Sequence, residues 1–427
     1  MTPSPNALRS VASGLQPNLL QRALEPMMDH AEALRRMMYL PPPPPAGIGE
    51  LRAVDRLRHL IGVLDFHFPP LIECQLAQSV NLMAWQVYQT HPAEAASTWA
   101  SITGEPSSQR ILVPTPIAAA VVGISGTGKS QGCVRSLACS GPQVVHHDSF
   151  PRLKGSHTQV LYQSIEVPSS GKAGDLELAL KLQWTMSTGS RRFEDDMGKS
   201  RGTGFGGLLE WTRVAMSHGL AVLHLDEIQN LFRLSSIKAR RQAVAEPAEY
   251  RIVEDQALKW IMSLTNSGRM AVLVSGTPDG INALSRRLAT LQRMTTGGLH
   301  TFNPLTLPEE KHLAGSFIGV LSRYQYFKES LPVTMDFAKM IVDLTAGVPR
   351  IIMALWIASH RVAFERNASC LRKEDFLKAS QTWLGPVSHA VRSLQQGDPK
   401  GLAMYEDLST MHTDFWSDLW GRLSAPN

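Results

Sequence analysis

The sequence predicts an α/β fold, a mainly parallel sheet covered by helices, with an all-helical unit after it. Three observations predict this. From about residue 116, short apolar runs alternate with amphipathic helical patterns, the signature of strands joined by helical crossovers. A glycine-rich motif ending in Lys-Ser stands where the first of those runs meets a helix. After Pro304 strand-like runs cease, and helical periodicity takes over.

The chain has 427 residues, 43% hydrophobic and 19% charged, a composition ordinary for a folded soluble protein and long enough for more than one packed unit. A net charge of +5 permits nucleic-acid binding without demanding it. The four cysteines, Cys74, Cys133, Cys139 and Cys370, form no Cys-x-x-Cys pair and no metal-spaced cluster, which points to a reducing compartment. His146-His147-Asp148 reads as the end of a strand rather than a metal site. No stretch has the roughly 20 apolar residues that a membrane span needs. Polar residues and prolines interrupt the N-terminus early, so the expectation is a cytoplasmic protein with no membrane partner.

Residues 1–45 read as an N-terminal appendage, helical around Leu19–Met38, closed by the proline run Pro41–Pro45. Five prolines lack amide donors and favour an extended rod, hence a spacer. Residues 46–115 form an N-terminal helical region, with Leu51, Leu57, Leu60, Ile61 and Leu64 on one side, an interruption at Phe68–Pro70, and a second apolar stretch from Leu71 to Tyr88. The α/β core spans 116–305. Its candidate strands are Ile117–Val122, Gln143–His146, Val160–Val167, Leu220–Leu225, Met270–Ser275 and Leu299–Phe302. Helical patterns lie at Asp175–Met186, Gly207–His218 and Glu254–Asn266, with Gly219 and Gly268 placed as C-terminal caps. In residues 306–385 helices are expected at 308–327, 335–345, 349–366 and 373–384, the first capped by Thr306 with Glu309. Residues 386–427 form a less regular tail.

Gly123-Ile-Ser125-Gly126-Thr127-Gly128-Lys129-Ser130 is a complete Gly-x-x-x-x-Gly-Lys-Ser phosphate loop between an apolar run and the helical pattern Gln131–Leu137. Its glycines let backbone N–H groups turn inward towards phosphate oxygens. Lys129 would reach the β- and γ-phosphates of ATP, and Ser130 would give its hydroxyl to Mg2+. Leu220–Leu225 ends in Asp226-Glu227. At the C-terminal end of a parallel strand, Asp226 would help hold Mg2+ and Glu227 would polarise the attacking water. A second strand ends in Ser275-Gly-Thr277-Pro278, where Thr277, or else Ser275, would contact the γ-phosphate or that water. Arg287, with Arg286 and Arg293 as rivals, suits an arginine finger reaching a neighbouring subunit. Gly347-Val-Pro349-Arg350 opens a helix, with Pro349 in its first turn and Arg350 projecting towards the nucleotide.

In this order, the phosphate loop, Asp226–Glu227, Ser275–Pro278 and Gly347–Arg350 resemble an AAA+ ATPase over about residues 110–385. More narrowly, Val274–Pro278, Leu284–Arg287 and Ala346–Arg350 resemble the TnsC/TniB group of transposon ATP-binding regulators, as does the helical segment carrying Phe66–Pro70 and Tyr88–Pro92. The resemblance implies a five-stranded core with a helical lid. It also implies a protein that binds ATP, polymerises on double-stranded DNA as a homo-oligomeric ring or filament, and links target-selector proteins to a transposase until hydrolysis resets it. Residues 1–45, the tail after about 386 and the Gly/Arg-rich Thr188–Gly207 depart from a minimal member, which bears on partner identity.

Phe232–Arg251 holds Arg233, Lys238, Arg240, Arg241 and Arg251 against Glu246 and Glu249. Such a segment either lines a pore and contacts DNA phosphates without sequence preference, or is a solvated basic surface. The tail places Phe415, Trp416, Leu419 and Trp420 on one helical face, which either docks in a partner's groove or folds back on its own helical unit. A replication-initiator or helicase-loader ATPase, or a DNA-independent signalling NTPase, would share the same core.

Overall fold

The computed structural model describes residues 17–103, 117–196, 202–234, 250–252, 255–285 and 292–396. They form two compact units that interleave along the chain. The first lies within Met1–Arg36, Leu71–Val122 and Ser130–Thr301, the second within Met37–Pro70, Gly123–Lys129 and Phe302–Asn427. In chain order the helices are α1 His30–Met37, α2 Ala53–Ile61, α3 Leu71–Thr90, α4 Ala96–Thr103, α5 Lys129–Cys139, α6 Ala173–Thr188, α7 Phe205–Ser217, α8 Asp255–Ser267, α9 Pro278–Ser285, α10 Phe317–Leu321, α11 Met335–Thr345, α12 Pro349–Glu365, α13 Lys373–Thr382 and α14 Ser388–Gln396. The strands are β1 Ala118–Gly123, β2 Val144–His147, β3 His157–Val160, β4 Tyr162–Glu166, β5 Val222–Asp226, β6 Phe232–Leu234, β7 Tyr250–Ile252, β8 Ala271–Gly276 and β9 Leu299–Phe302. None of the described helices is long and apolar enough to cross a membrane by itself.

The first unit is an α/β structure around a five-stranded parallel sheet in the order β4-β5-β8-β1-β9. Its central strands are aliphatic on both faces, since helices cover both: Ala271 to Val274 are fully buried, as are Ala118 and Ala119. Register places Val122 beside Gly276 and Leu225 beside Val274, so β1, β5 and β8 all end at one edge of the sheet. Among the covering helices, Trp184, Trp211 and Trp260 stack edge-on, at 6.3 and 5.9 Å between centroids. Lys181, buried on α6, ties Glu177, Asp196 and Glu210 together at 2.8, 2.7 and 3.1 Å. Glu177 also accepts from the Gly204 amide at 2.8 Å, so this ion cluster, centred on the buried Lys181 and Glu177, holds both described stretches of the irregular Thr188–Gly207 segment.

Two strand expectations need correction. Gln143–His146 does not join the parallel sheet; β2 pairs antiparallel with β3 in a separate two-stranded sheet. Val160–Val167 is not one strand but two, β3 and β4. Leu161 is the switch: its N–H donates to the Gln143 carbonyl at 2.7 Å, while its own carbonyl accepts from Ala221 and Val222 at 3.1 Å. Opposite faces of one residue thus serve different sheets. Gly219 and Gly268 have φ of 63° and 60°, the left-handed conformation expected past α7 and α8.

Among the described residues, 17–36 pack into the first unit. Leu20, Leu24, Met28 and Ala33 are buried, the Asn18 amide donates to the Tyr88 carbonyl at 2.8 Å, and Gln159 donates to the Leu20 carbonyl at 3.0 Å. The proline run belongs to the second unit, where Tyr324 donates its hydroxyl to the Pro41 carbonyl at 2.7 Å. Of the expected stripe in 49–95, Leu57 and Leu60 are buried, but Leu51, which precedes the helix Ala53–Ile61, is exposed, and so is Leu64, because the helix ends at Ile61 and a 3-10 turn, Gly62–Asp65, changes the periodicity.

The second unit is helical. Nearly every residue of α12 from Ile351 to Phe364 is buried, as expected of a helix wrapped by others. Trp356, Phe337 and Phe376 interlock around it at 5.1 to 6.4 Å. The buried Arg361 guanidinium lies 3.6 Å from the centre of the Trp383 ring and donates to Glu365 at 3.1 Å. Helices at 335–345, 349–365 and 373–382 match the expected positions closely. The expected helix 308–327, capped by Thr306, does not form. Glu310–Gly315 is a 3-10 turn without a side-chain cap, and Ser316 instead caps the short α10, accepting from Gly319 N at 3.2 Å.

Candidate nucleotide site

The phosphate loop joins the end of β1 to the first turn of α5. Gly126 and Gly128 have φ of 86° and 94°, a conformation side chains resist, and they wrap the loop around the Ile124 carbonyl. That oxygen accepts from Thr127 Oγ1 at 2.8 Å and from Lys129 Nζ at 3.0 Å. Lys129 is therefore folded into its own loop and buried, with its ammonium on a neutral carbonyl that a phosphate oxygen would outcompete. Gly123 meets the Phe302 carbonyl so closely that a Cβ would lie 2.6 Å from it. Ser125 is half-buried, and Ser130, the next residue into the first unit, is exposed at the start of α5. The helix N-terminus behind the loop favours an anion there.

The Gly347–Arg350 turn lies against this loop. Arg350 N donates to the Gly126 carbonyl at 3.2 Å, and a Cβ on Gly126 would stand 2.9 Å from Val348 and 3.1 Å from Arg350. Pro349 fills the first position of α12. Gly347 has φ of 69°, and a Cβ there would lie 2.0 Å from the Leu305 carbonyl, while its own carbonyl accepts from Leu305 N at 2.7 Å. Loop and turn belong to the same unit, which brings the exposed Arg350 to the loop from far along the chain.

In the first unit, Asp226 ends β5 and Glu227 follows in a left-handed conformation, φ 53°, costly for a residue with a side chain. Asp226 Oδ1 accepts from Glu227 N at 2.9 Å and from the Ser275 hydroxyl. Gln229 bridges the other pair: its amide nitrogen donates to Glu227 Oε2, and its oxygen accepts from Thr277 N at 3.2 Å. Thr277 uses its own hydroxyl to accept from Gly280 N at 3.4 Å at the start of α9. Of the two expected sensors, Ser275 therefore touches the carboxylate, whereas the Thr277 side chain caps a helix.

Sequence reasoning missed His224 and Gln229. His224 lies fully buried between Ser164 and Ser275, with Nδ1 2.8 Å from Ser164 Oγ and Nε2 2.8 Å from Ser275 Oγ. Burial pushes its pKa down to about 4, with the Asp226 carboxylate pulling upward, so the ring is neutral. The signal was there: a histidine two positions before the acid, in an otherwise aliphatic strand. Gln229 had none, because its role depends on a turn that folds it back on Glu227.

Arg293 is exposed and donates to Asn266 Oδ1 at 3.1 Å, which engages this rival for the finger with its own unit. Arg286, Arg287, Lys238, Arg240 and Arg241, and the aromatic tail, lie outside the described residues. Searched against protein-family models the chain matches none, and it matches no curated protein.

Proposed function

We propose that the chain is a P-loop ATPase of the AAA+ type, acting as a DNA-bound regulator of transposition of the TnsC/TniB kind. The observation that carries the ATPase reading is the complete phosphate-loop motif at the end of a parallel strand, with acidic β5 ending at the same edge one strand beyond β8. The donor set fits Mg2+ bound to a nucleotide. The Ser130 hydroxyl and the Asp226 carboxylate are hard oxygen ligands, and Asp226 already has Oδ1 anchored by two donors.

In this reading Gly123, Ser125, Gly126, Thr127 and Gly128 present backbone amides to the phosphates, and Lys129 leaves the Ile124 carbonyl for the β- and γ-oxygens. Mg2+ would supply charge neutralisation of the phosphates there. Glu227 orients the attacking water as general base, and Gln229 holds that carboxylate between turnovers. Arg350, on the helical unit that plays the lid, reads the bound phosphates, and Arg287 serves a neighbouring subunit. Lys238, Arg240 and Arg241 contact duplex phosphates, which makes DNA binding sequence-tolerant and steeply salt-dependent.

The regulator reading rests on the motif set Ser275–Pro278, Leu284–Arg287 and Ala346–Arg350 in this order. Electron microscopy of the protein with duplex DNA tests it: rings or filaments on DNA with ATP and none with ADP are expected. Assemblies that form with ATP and ignore DNA would instead favour a DNA-independent signalling NTPase.

A further inference from the structure

His224 and Ser275, both buried, and the half-buried Ser164 form a chain of hydrogen bonds across three adjacent strands, β4, β5 and β8, and the chain ends on Asp226. Polar groups in the middle of a sheet cost stability unless each finds a partner. With Asp226 as a carboxylate and the ring as a neutral imidazole, the partners also fix the direction of each proton. An ionised carboxylate only accepts, so the single Ser275 proton points at Asp226 Oδ1. Ser275 Oγ can then take part in its contact with His224 only as acceptor, which requires the proton on Nε2. With the proton there, Nδ1 carries a lone pair and accepts from the Ser164 hydroxyl. The chain therefore runs one way, Ser164 to His224 to Ser275 to Asp226.

We propose that His224 is a positioning residue that, through Ser275, locks the Asp226 carboxylate in the orientation in which it serves the cation. Oδ1 receives both donors, Ser275 Oγ and Glu227 N, so the carboxylate plane cannot turn without breaking one of them. Oδ2 takes neither bond and would be the oxygen left to serve a metal-bound water. Donors aligned in series polarise one another and strengthen the last bond, the one to the charged group. Groups that orient a metal ligand in this way typically carry about 10- to 100-fold of metal affinity. The proposal rests on the nucleotide-site reading above.

Two measurements test it. In the nucleotide-free wild-type protein, nitrogen-15 NMR of the histidine rings should show His224 protonated at Nε2 and bare at Nδ1; a proton on Nδ1 would break the chain at Ser275 and overturn the proposal. The second compares His224→Leu and His224→Gln, since the glutamine amide nitrogen reaches the place of Nε2. Nucleotide binding is measured with a fluorescent ATP analogue in EDTA and across a Mg2+ titration. His224→Leu should shift the half-saturating Mg2+ concentration upward by about 10- to 100-fold and leave binding in EDTA unchanged, and His224→Gln should stay within about threefold of wild type. A His224→Leu titration within about twofold of wild type would overturn the positioning role alone. Wild-type protein that binds no nucleotide in either condition would overturn the underlying site reading and this proposal with it. If His224→Leu does not fold, the ring NMR of the wild type decides.

Discussion

Replacing Gly347 by alanine should unfold the turn that holds Arg350 against the phosphate loop. Three effects add. At φ of 69° a Cβ raises the backbone energy by about 1–2 kcal/mol. The new methyl would sit 2.0 Å from the Leu305 carbonyl, a backbone atom that cannot swing aside, so the turn must move. That movement strains or breaks the 2.7 Å bond from Leu305 N to the Gly347 carbonyl, worth about 0.5–1.5 kcal/mol. The two terms with magnitudes sum to about 1.5–3.5 kcal/mol, which for a unit of this size lowers the unfolding midpoint by roughly 3–14 °C. Differential scanning calorimetry without nucleotide is the assay. Gly62→Ala is the control: at φ −59° with nothing within 4 Å of the added methyl, it should be neutral or stabilising by up to about 1 kcal/mol. A Gly347→Ala protein that melts with wild type would refute the claim that this glycine is demanded by the turn.

Glu227→Gly should relieve the left-handed backbone strain but give up the bond from Gln229, leaving stability within about 1 kcal/mol of wild type while cutting ATP turnover at least about 100-fold, checked by calorimetry and phosphate release. Gln229→Ala removes a bridge between Glu227 and Thr277 N and should cost about 1 kcal/mol in urea denaturation. His360 is fully buried, donates Nδ1–H to the Trp356 carbonyl at 2.8 Å, and has its pKa pushed down to about 4 by burial. Because the folded value lies below the unfolded one, this stability is fully present above about pH 6.5 and is lost as pH falls from there towards about 4, on the order of 2–3 kcal/mol. His360→Leu should flatten that acid limb in equilibrium unfolding; an unchanged slope would contradict it. Trp356→Ala, at the centre of the helical core, should cost about 3–5 kcal/mol by the same assay.

The legible parts of the sequence were those fixed by neighbours in the chain. Gly123–Ser130 declares itself because a loop, its strand and its helix are contiguous, and β5 and β8 because aliphatic runs ending in polar residues survive in one window. What was not legible depends on distant partners. Leu161 splits a run that looks like one strand because Gln143 and Ala221–Val222 claim its two faces. Thr306 carries the right residues for a cap, yet Ser316 takes that role once the chain turns at Gly315. Residues 17–36 look like an appendage, but their partners are Tyr88, Gln159 and Ser140. His224 hid in an apolar strand because its meaning lies in two serines on other strands.

The central claim, that one lysine-bearing turn grips a triphosphate, is tested most directly by isothermal titration of Mg2+–ATP into wild-type protein and Lys129→Ala. Saturable one-site binding by the wild type, weakened at least about 100-fold in the variant, is the predicted result. Equal affinity of the two proteins, or no binding by either, would contradict it.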